Sequence, residues 1–270
     1  MTEQDAGARA VTRPPSRGRK TRRPVTVVGV LGELLITAGV LVLLFLGWQL
    51  WFNDIISENQ QSNQASGLAQ SWALPGATPT ATPKPSATTK PDNEPSSSKP
   101  VVAKAPGNAE KFGVLMVPRW GKDWERPIAE GIGVADVLNT IGVGHYPGTQ
   151  MPGAVGNFAI AAHRLAYGHG FRDVNKLRVG DHIYVETKDG WYSYVFRSLE
   201  YVLPTGVGVI DPVPQEPGVK AKDRLITLTT CNPFYSTAER MVAYGVYDGW
   251  YPRAGGPPTE IAAQVAARSS

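Results

Sequence analysis

The sequence predicts a mostly β domain, held away from a membrane by an N-terminal apolar helix and a long polar spacer. Three observations carry this. A basic head precedes an unbroken apolar run, and 23 prolines and 29 glycines point to unfolded linker within the 270 residues. The second half reads as short β-branched and aromatic runs divided by Gly/Pro turns, the pattern of a barrel or sandwich.

Residues 1–24 form the head, with Arg9, Arg13, Arg17, Arg19, Lys20, Arg22 and Arg23. From 25 to 52 the chain reads VTVVGVLGELLITAGVLVLLFLGWQLWF, with Glu33 its only charge. As a helix this run is roughly 40 Å long, more than the ~30 Å hydrocarbon core requires. Trp48, Trp51 and Phe52 make an aromatic belt at its far end, and no Lys or Arg follows until Lys84. That asymmetry predicts a single-pass anchor with a cytoplasmic N-terminus and everything beyond Phe52 outside. A cleaved signal peptide would have a shorter apolar core and a small-x-small site close behind it. The head is then a topology determinant that also meets anionic lipid, rather than a nucleic-acid arm.

Residues 53–110 are polar, and from Leu74 rich in Pro, Ser and Thr. Such a composition buries too little apolar surface to offset ordering entropy, so it predicts a disordered spacer, partly polyproline II. The folded domain is expected over 111–253. Strands are read at Phe112–Pro118, Gly156–His163, Asp181–Thr187, Trp191–Leu203, Asp223–Cys231 and Arg240–Tyr251, with KDG as a hairpin turn. Short helices are read at Ala135–Ile141 and Asp173–Leu177, and 254–270 is a tail that is either a short helix or loose.

Several chemistries lack their residues. There is no P-loop, dinucleotide fingerprint, HEXXH or GXSXG, and one Cys with scattered His supplies no metal-ligand spacing. No cofactor is expected. What remains is Cys231, the only cysteine. It closes the strong strand LITLTTC, where Asn232-Pro233 ends the run. A lone extracytoplasmic thiol is a small buried hydrophobe, an intermolecular bridge or a nucleophile. A nucleophile needs a base or cation nearby. Of four histidines, His145 and His169 sit in Gly-rich loops and His182 starts a strand beside Asp181. His163 ends an apolar strand, the same kind of position as Cys231. Arg240 opens the next strand, one loop after Cys231. If those strands pair antiparallel, Arg240 meets Cys231, and its fixed charge suits a developing oxyanion.

These residues carry a family resemblance. TLTTC, Thr227–Cys231, matches the TLxTC signature of sortases, the wall-anchoring cysteine transpeptidases. His after an earlier strand (NFAIAAHR), then Cys, then Arg after a loop is also their order. The resemblance covers about 112–251 and implies an eight-stranded β-barrel. It implies Cys231 as nucleophile, His163 as general acid/base and Arg240 as substrate and oxyanion partner. GHYPGT, AHR before a Tyr-Gly loop and TTCNP resemble class E, the housekeeping type of high-GC Gram-positive bacteria, which prefers LAxTG over LPxTG. Ala162 departs from the Gly that often precedes the family's His. Tyr146 is then the candidate reader of the residue after Leu. Thr230 and the 204–222 loop are expected to shape the signal groove. The implied partners are secreted sorting-signal proteins and a peptidoglycan-precursor amine.

Rival readings are weighed on residues. The Asp-Pro-aromatic lid of pilus-building class C sortases is not seen. L,D-transpeptidases keep an Arg close behind their Cys, and papain-like hydrolases place Cys before His. A non-catalytic wall-binding module with a structural Cys is separated by thiol accessibility.

Overall fold

A computed structural model describes residues 26–48, 53–72 and 94–268. The basic head and residues 73–93 of the expected spacer lie outside them. The chain divides into two compact units, Met1–Leu46 and Gly47–Ser270. In the first, α1 (Val27–Gly47) is 21 residues long with no buried side chain. It is long and apolar enough to cross a membrane. At ~1.5 Å per residue it spans about the hydrocarbon thickness.

The second unit is a closed barrel. Its strands are β1 (Lys111–Met116), β2 (Glu125–Glu130), β3 (Val143–His145), β4 (Gly156–Ala162), β5 (His182–Thr187), β6 (Gly190–Val202), β7 (Arg224–Asn232) and β8 (Glu239–Pro252). The order around the barrel is β1-β2-β3-β4-β7-β8-β6-β5, with β5 pairing back to β1. Two neighbouring pairs are parallel, β2 with β3 and β4 with β7. The eight-stranded barrel expected from the resemblance is therefore present.

The strand sequences explain its two layers of packing. In β1, Leu115 joins the barrel core with Phe158, Ile160, Ile226 and Leu228. Val114 and Met116 alternate to the outer face and pack with Ala65, Ala69 and Ile261. Both faces of β1 are covered, so it reads as a continuous apolar run rather than an alternating one.

The outer cover comes from segments expected to be spacer and tail; the tail takes the helical one of its two expected forms, and the spacer is where the structure differs from the sequence reading. Residues 53–71 form helix α2 (Asn53–Ser71). Its Gln61, Ala65 and Ala69 are buried one turn apart, and Ser66 donates to Glu125 at 2.6 Å. The two alanines at i+4 and i+8 let a polar helix lie close on a sheet without a large apolar stripe. Residues 94–110 are strapped to the barrel, with Ser96 N–H on Trp250 O and Ala109 N–H on Glu130 O. The tail forms α3 (Thr259–Ala267). Beyond it, buried Arg268 pairs with Glu125 and, at 2.5 Å, with Glu186. The two expected short helices appear as helical turns at Val134–Leu138 and Val174–Lys176.

Candidate active site

The parallel pairing of β4 with β7 brings two strand ends to one rim. Ala161 lies opposite Thr229, and Thr230 Oγ1 donates to Ala162 O at 2.8 Å. The next residue on each strand is His163 and Cys231. Across the other edge of β7, Cys231 is the register partner of Arg240 on β8. Three strand termini thus deliver His163, Cys231 and Arg240 to one place.

Cys231 is a half-buried free thiol. It lines a cleft of about 450 Å³ with His163, Arg164, Leu165 and the Pro233–Thr237 loop. His163 Nε2 stands 2.8 Å from Asn139 Oδ1. An amide oxygen only accepts, so the Nε2 proton is donated to it and Nδ1 is the nitrogen left for chemistry. Tyr167 packs on the ring at 5.4 Å between centroids. Burial holds the imidazole below its ordinary titration range, because the cation is poorly hydrated there.

The other three histidines differ. Each faces a carboxylate: His145 with Glu130 at 2.6 Å, His169 with Asp54 at 3.5 Å and His182 with Glu260 at 2.8 Å. His145, expected in a loop, is fully buried in β3. Only His163 among the four combines an amide partner with an opening beside the thiol.

Arg240 faces a second, smaller groove of about 80 Å³, with Tyr146, Thr229, Leu203 and the start of the 204–222 loop. Its Nη1 donates to Thr237 O and Glu239 O, both at 2.9 Å, which leaves Nε and Nη2 for an incoming oxygen. The Tyr146 hydroxyl is 2.9 Å from Thr229 Oγ1. Buried Asn157 holds the loop, donating to Val209 O and Asp211 O at 3.2 and 3.1 Å. Thr230, expected at the substrate, is 3% exposed and spends its hydroxyl on Ala162, so it ties the two strand ends together.

Sequence reading missed the residues that frame the site. Asn139 follows the Val134–Leu138 turn, and nothing in its local sequence marks it. Arg164 donates to Asn232 and lies 4.0 Å over the Phe234 ring. Asn232 in turn donates to Glu239 at 2.7 Å, closing the β7–β8 ends. The AHR triplet marked Arg164 without saying what it holds. Among the described residues, no group of three or more His, Cys, Asp or Glu is placed to hold a metal ion.

Comparison with known proteins places the chain in a family. Residues 115–248 match the Sortase domain family. Sortase SrtE2 of Streptomyces coelicolor is 32% identical over 84% of this chain and 86% of its own length. The chain belongs to the sortase family. Sortase SrtE1 of the same organism is 36% identical over 94% of this chain, and the match spans 66% of that relative's length. Among solved sortases, SrtA from Actinomyces oris is 39% identical with a TM-score of 0.59, covering 62% of this chain and 96% of that one. Sortase E1 from S. coelicolor, solved with a tripeptide in its active site, is 41% identical with a TM-score of 0.53, covering 59% and 99%. The likeness is thus to class E. Sortases are transpeptidases that work through a cysteine, and this sortase has a single one to offer.

Proposed function

We propose that this sortase is a membrane-anchored transpeptidase that cleaves an LAxTG- or LPxTG-type signal between Thr and Gly. It then passes the acyl group to an amine of a cell-wall precursor. The observation that carries the reading is the meeting of Cys231, His163 and Arg240 at one barrel rim. Cys231 Sγ attacks the Thr carbonyl carbon while His163 takes the thiol proton. The oxyanion forms beside the Arg240 guanidinium, which is charged at any working pH. Collapse breaks the C–N bond, and the imidazolium returns its proton to the departing Gly amine. A poorly hydrated imidazolium is a ready donor, which suits a ring held neutral at rest. The thioester is then attacked by the acceptor amine, whose proton goes to His163, and Cys231 leaves.

The signal is assigned to the groove of Tyr146, Thr229 and the 204–222 loop, which reaches Arg240. The acceptor enters from the larger cleft lined by His163. α1 anchors the enzyme with its basic head in the cytoplasm and the barrel outside.

The test uses the full chain in detergent with LAxTG and LPxTG peptides. Cys231→Ala should lose cleavage and the acyl-enzyme mass adduct while keeping its thermal transition. Cleavage at the wild-type rate would reject the assignment. Tyr146→Phe should narrow the preference between the two peptides, and an unchanged ratio removes Tyr146 from signal reading.

A further inference from the structure

The loop that follows His163 is unusual in its backbone. Ala166, Tyr167, Gly168 and His169 all have positive φ, at 63°, 48°, 79° and 36°. Three of these four residues carry side chains, which disfavour that region. A run of this kind persists only where its surroundings hold it. The turn also matters to the site, because Tyr167 within it packs on His163.

What holds the turn is α2. Gln61, 1% exposed, donates from Nε2 to Tyr167 O at 2.7 Å. Buried Arg126 donates to Gly168 O at 3.3 Å and is itself paired with Glu58 at 2.8 Å. His169 faces Asp54. Asp54, Glu58 and Gln61 are spaced i, i+4, i+7, so one stripe of α2 meets one turn. Two glycines make room for it. A Cβ on Gly168 would lie 2.7 Å from Gln61 Oε1, and one on Gly142 would lie 2.6 Å from it.

We propose that α2 is a positioning element for His163, with Gln61 holding the left-handed turn that seats Tyr167 against the imidazole. This rests on the reading of His163 as the acid/base. No residue of α2 lines either groove of the site. Its effect passes through the Tyr167 carbonyl to the ring, and from the ring to the proton transfers.

The experiment compares Gln61→Met, which keeps the side chain's bulk without its donor, with Ser66→Ala, which cuts a different α2 tie, the one to Glu125, and leaves Gln61 on Tyr167 O. Both are made in the full chain in detergent. For Gln61→Met, kcat on an LAxTG peptide should fall at unchanged KM, toward the roughly 10²-fold loss of a misplaced catalytic group. The His163 titration, followed by NMR of labelled imidazole, should move up toward the ordinary range as the ring hydrates. The titratable or charged groups around that ring are Cys231 and Arg164 in the cleft and Tyr167 on its face, all unaltered. Ser66→Ala should lower thermal stability without moving kcat or the titration. Wild-type kcat in Gln61→Met would overturn the proposal. So would equal loss of kcat in both variants, which marks a merely structural helix. A His163→Ala control with wild-type turnover would instead reject the catalytic role of His163, whatever Gln61→Met does.

Discussion

Cys231 and Arg240 are direct register partners across the antiparallel β7–β8 pair. Direct partners point to the same face with Cβ atoms roughly 5 Å apart. The thiol and the guanidinium are therefore neighbours by backbone pairing, before any side-chain choice is made. The six residues between the two strands, 233–238, form the loop that walls the cleft and whose Thr237 carbonyl orients the guanidinium.

Arg240→Ala should lower kcat/KM by about 10²–10³-fold, the usual effect of removing one oxyanion donor. Arg240→Lys should recover little. A flexible ammonium cannot bond the Thr237 and Glu239 carbonyls and still present a fixed donor to the substrate. Steady-state kinetics on a signal peptide checks this, with lysine at wild-type rate as the contrary result.

His163 should make folding less stable in acid. Its folded pKa is lowered by burial, so the unfolded chain binds the proton first as pH falls. Above about pH 6.5 both states are neutral and the ring contributes nothing. Below that, stability declines until the folded ring also protonates. Urea midpoints at pH 7.5 and 5 should fall further for wild type than for His163→Asn.

The opposite sign applies where α3 meets β5. Glu260 bonds His182 and Tyr184, which raises the His182 pKa, while the His182 bond lowers that of Glu260. The histidine's contribution is full below about pH 6.5 and is lost as pH rises through its raised value. The glutamate's is full above about pH 4.5 and is lost as pH falls through its lowered value. The pair is strongest between. Both groups are partly exposed, so the effect is about 1 kcal/mol or less. His182→Gln should flatten the stability profile across the upper limb, read by thermal melts from pH 5 to 9.

Asn157 is fully buried and makes three bonds, two to the 204–222 loop and one from the Thr227 hydroxyl. Asn157→Ala leaves a hydroxyl and two carbonyls short of partners. It should cost about 2–3 kcal/mol and release the loop. KM for the signal peptide should rise more than kcat falls. A melting curve and a KM measured on the same preparation check both.

The strands that carry the site were legible because both of their faces are buried and neither core carries a charge. LITLTTC and NFAIAA are buried inside the barrel and between neighbours, so each stands out as a run. The pairing that aligns them was not, since sequence spacing says nothing of a parallel register between strands far apart. β2, with sequence ERPIAE, was missed because it buries charge. Glu125 and Arg126 are held by ion pairs from Arg268, just past α3, and from Glu58 of α2, and Glu130 by His145. Such partners lie far off in the chain. α2 was hidden by its Asn, Gln and Ser content, which describes solvent affinity and not the small-residue stripe that docks it. Asn139 shows the same limit at the site. An amide is common anywhere, and only the fold sets it beside His163.

The parallel β4–β7 pairing has a consequence in time. His163 and Cys231 emerge from strands whose adjoining residues are 68 positions apart. Every strand between them must be placed, or looped out, before β7 can slot beside β4. Closing so long a loop is entropically slow relative to forming the β5–β6 hairpin. A chain still folding therefore holds its thiol apart from His163 until the barrel shuts. Catalytic competence should arrive as a single late event, making acyl-enzyme formation a reporter of completed folding.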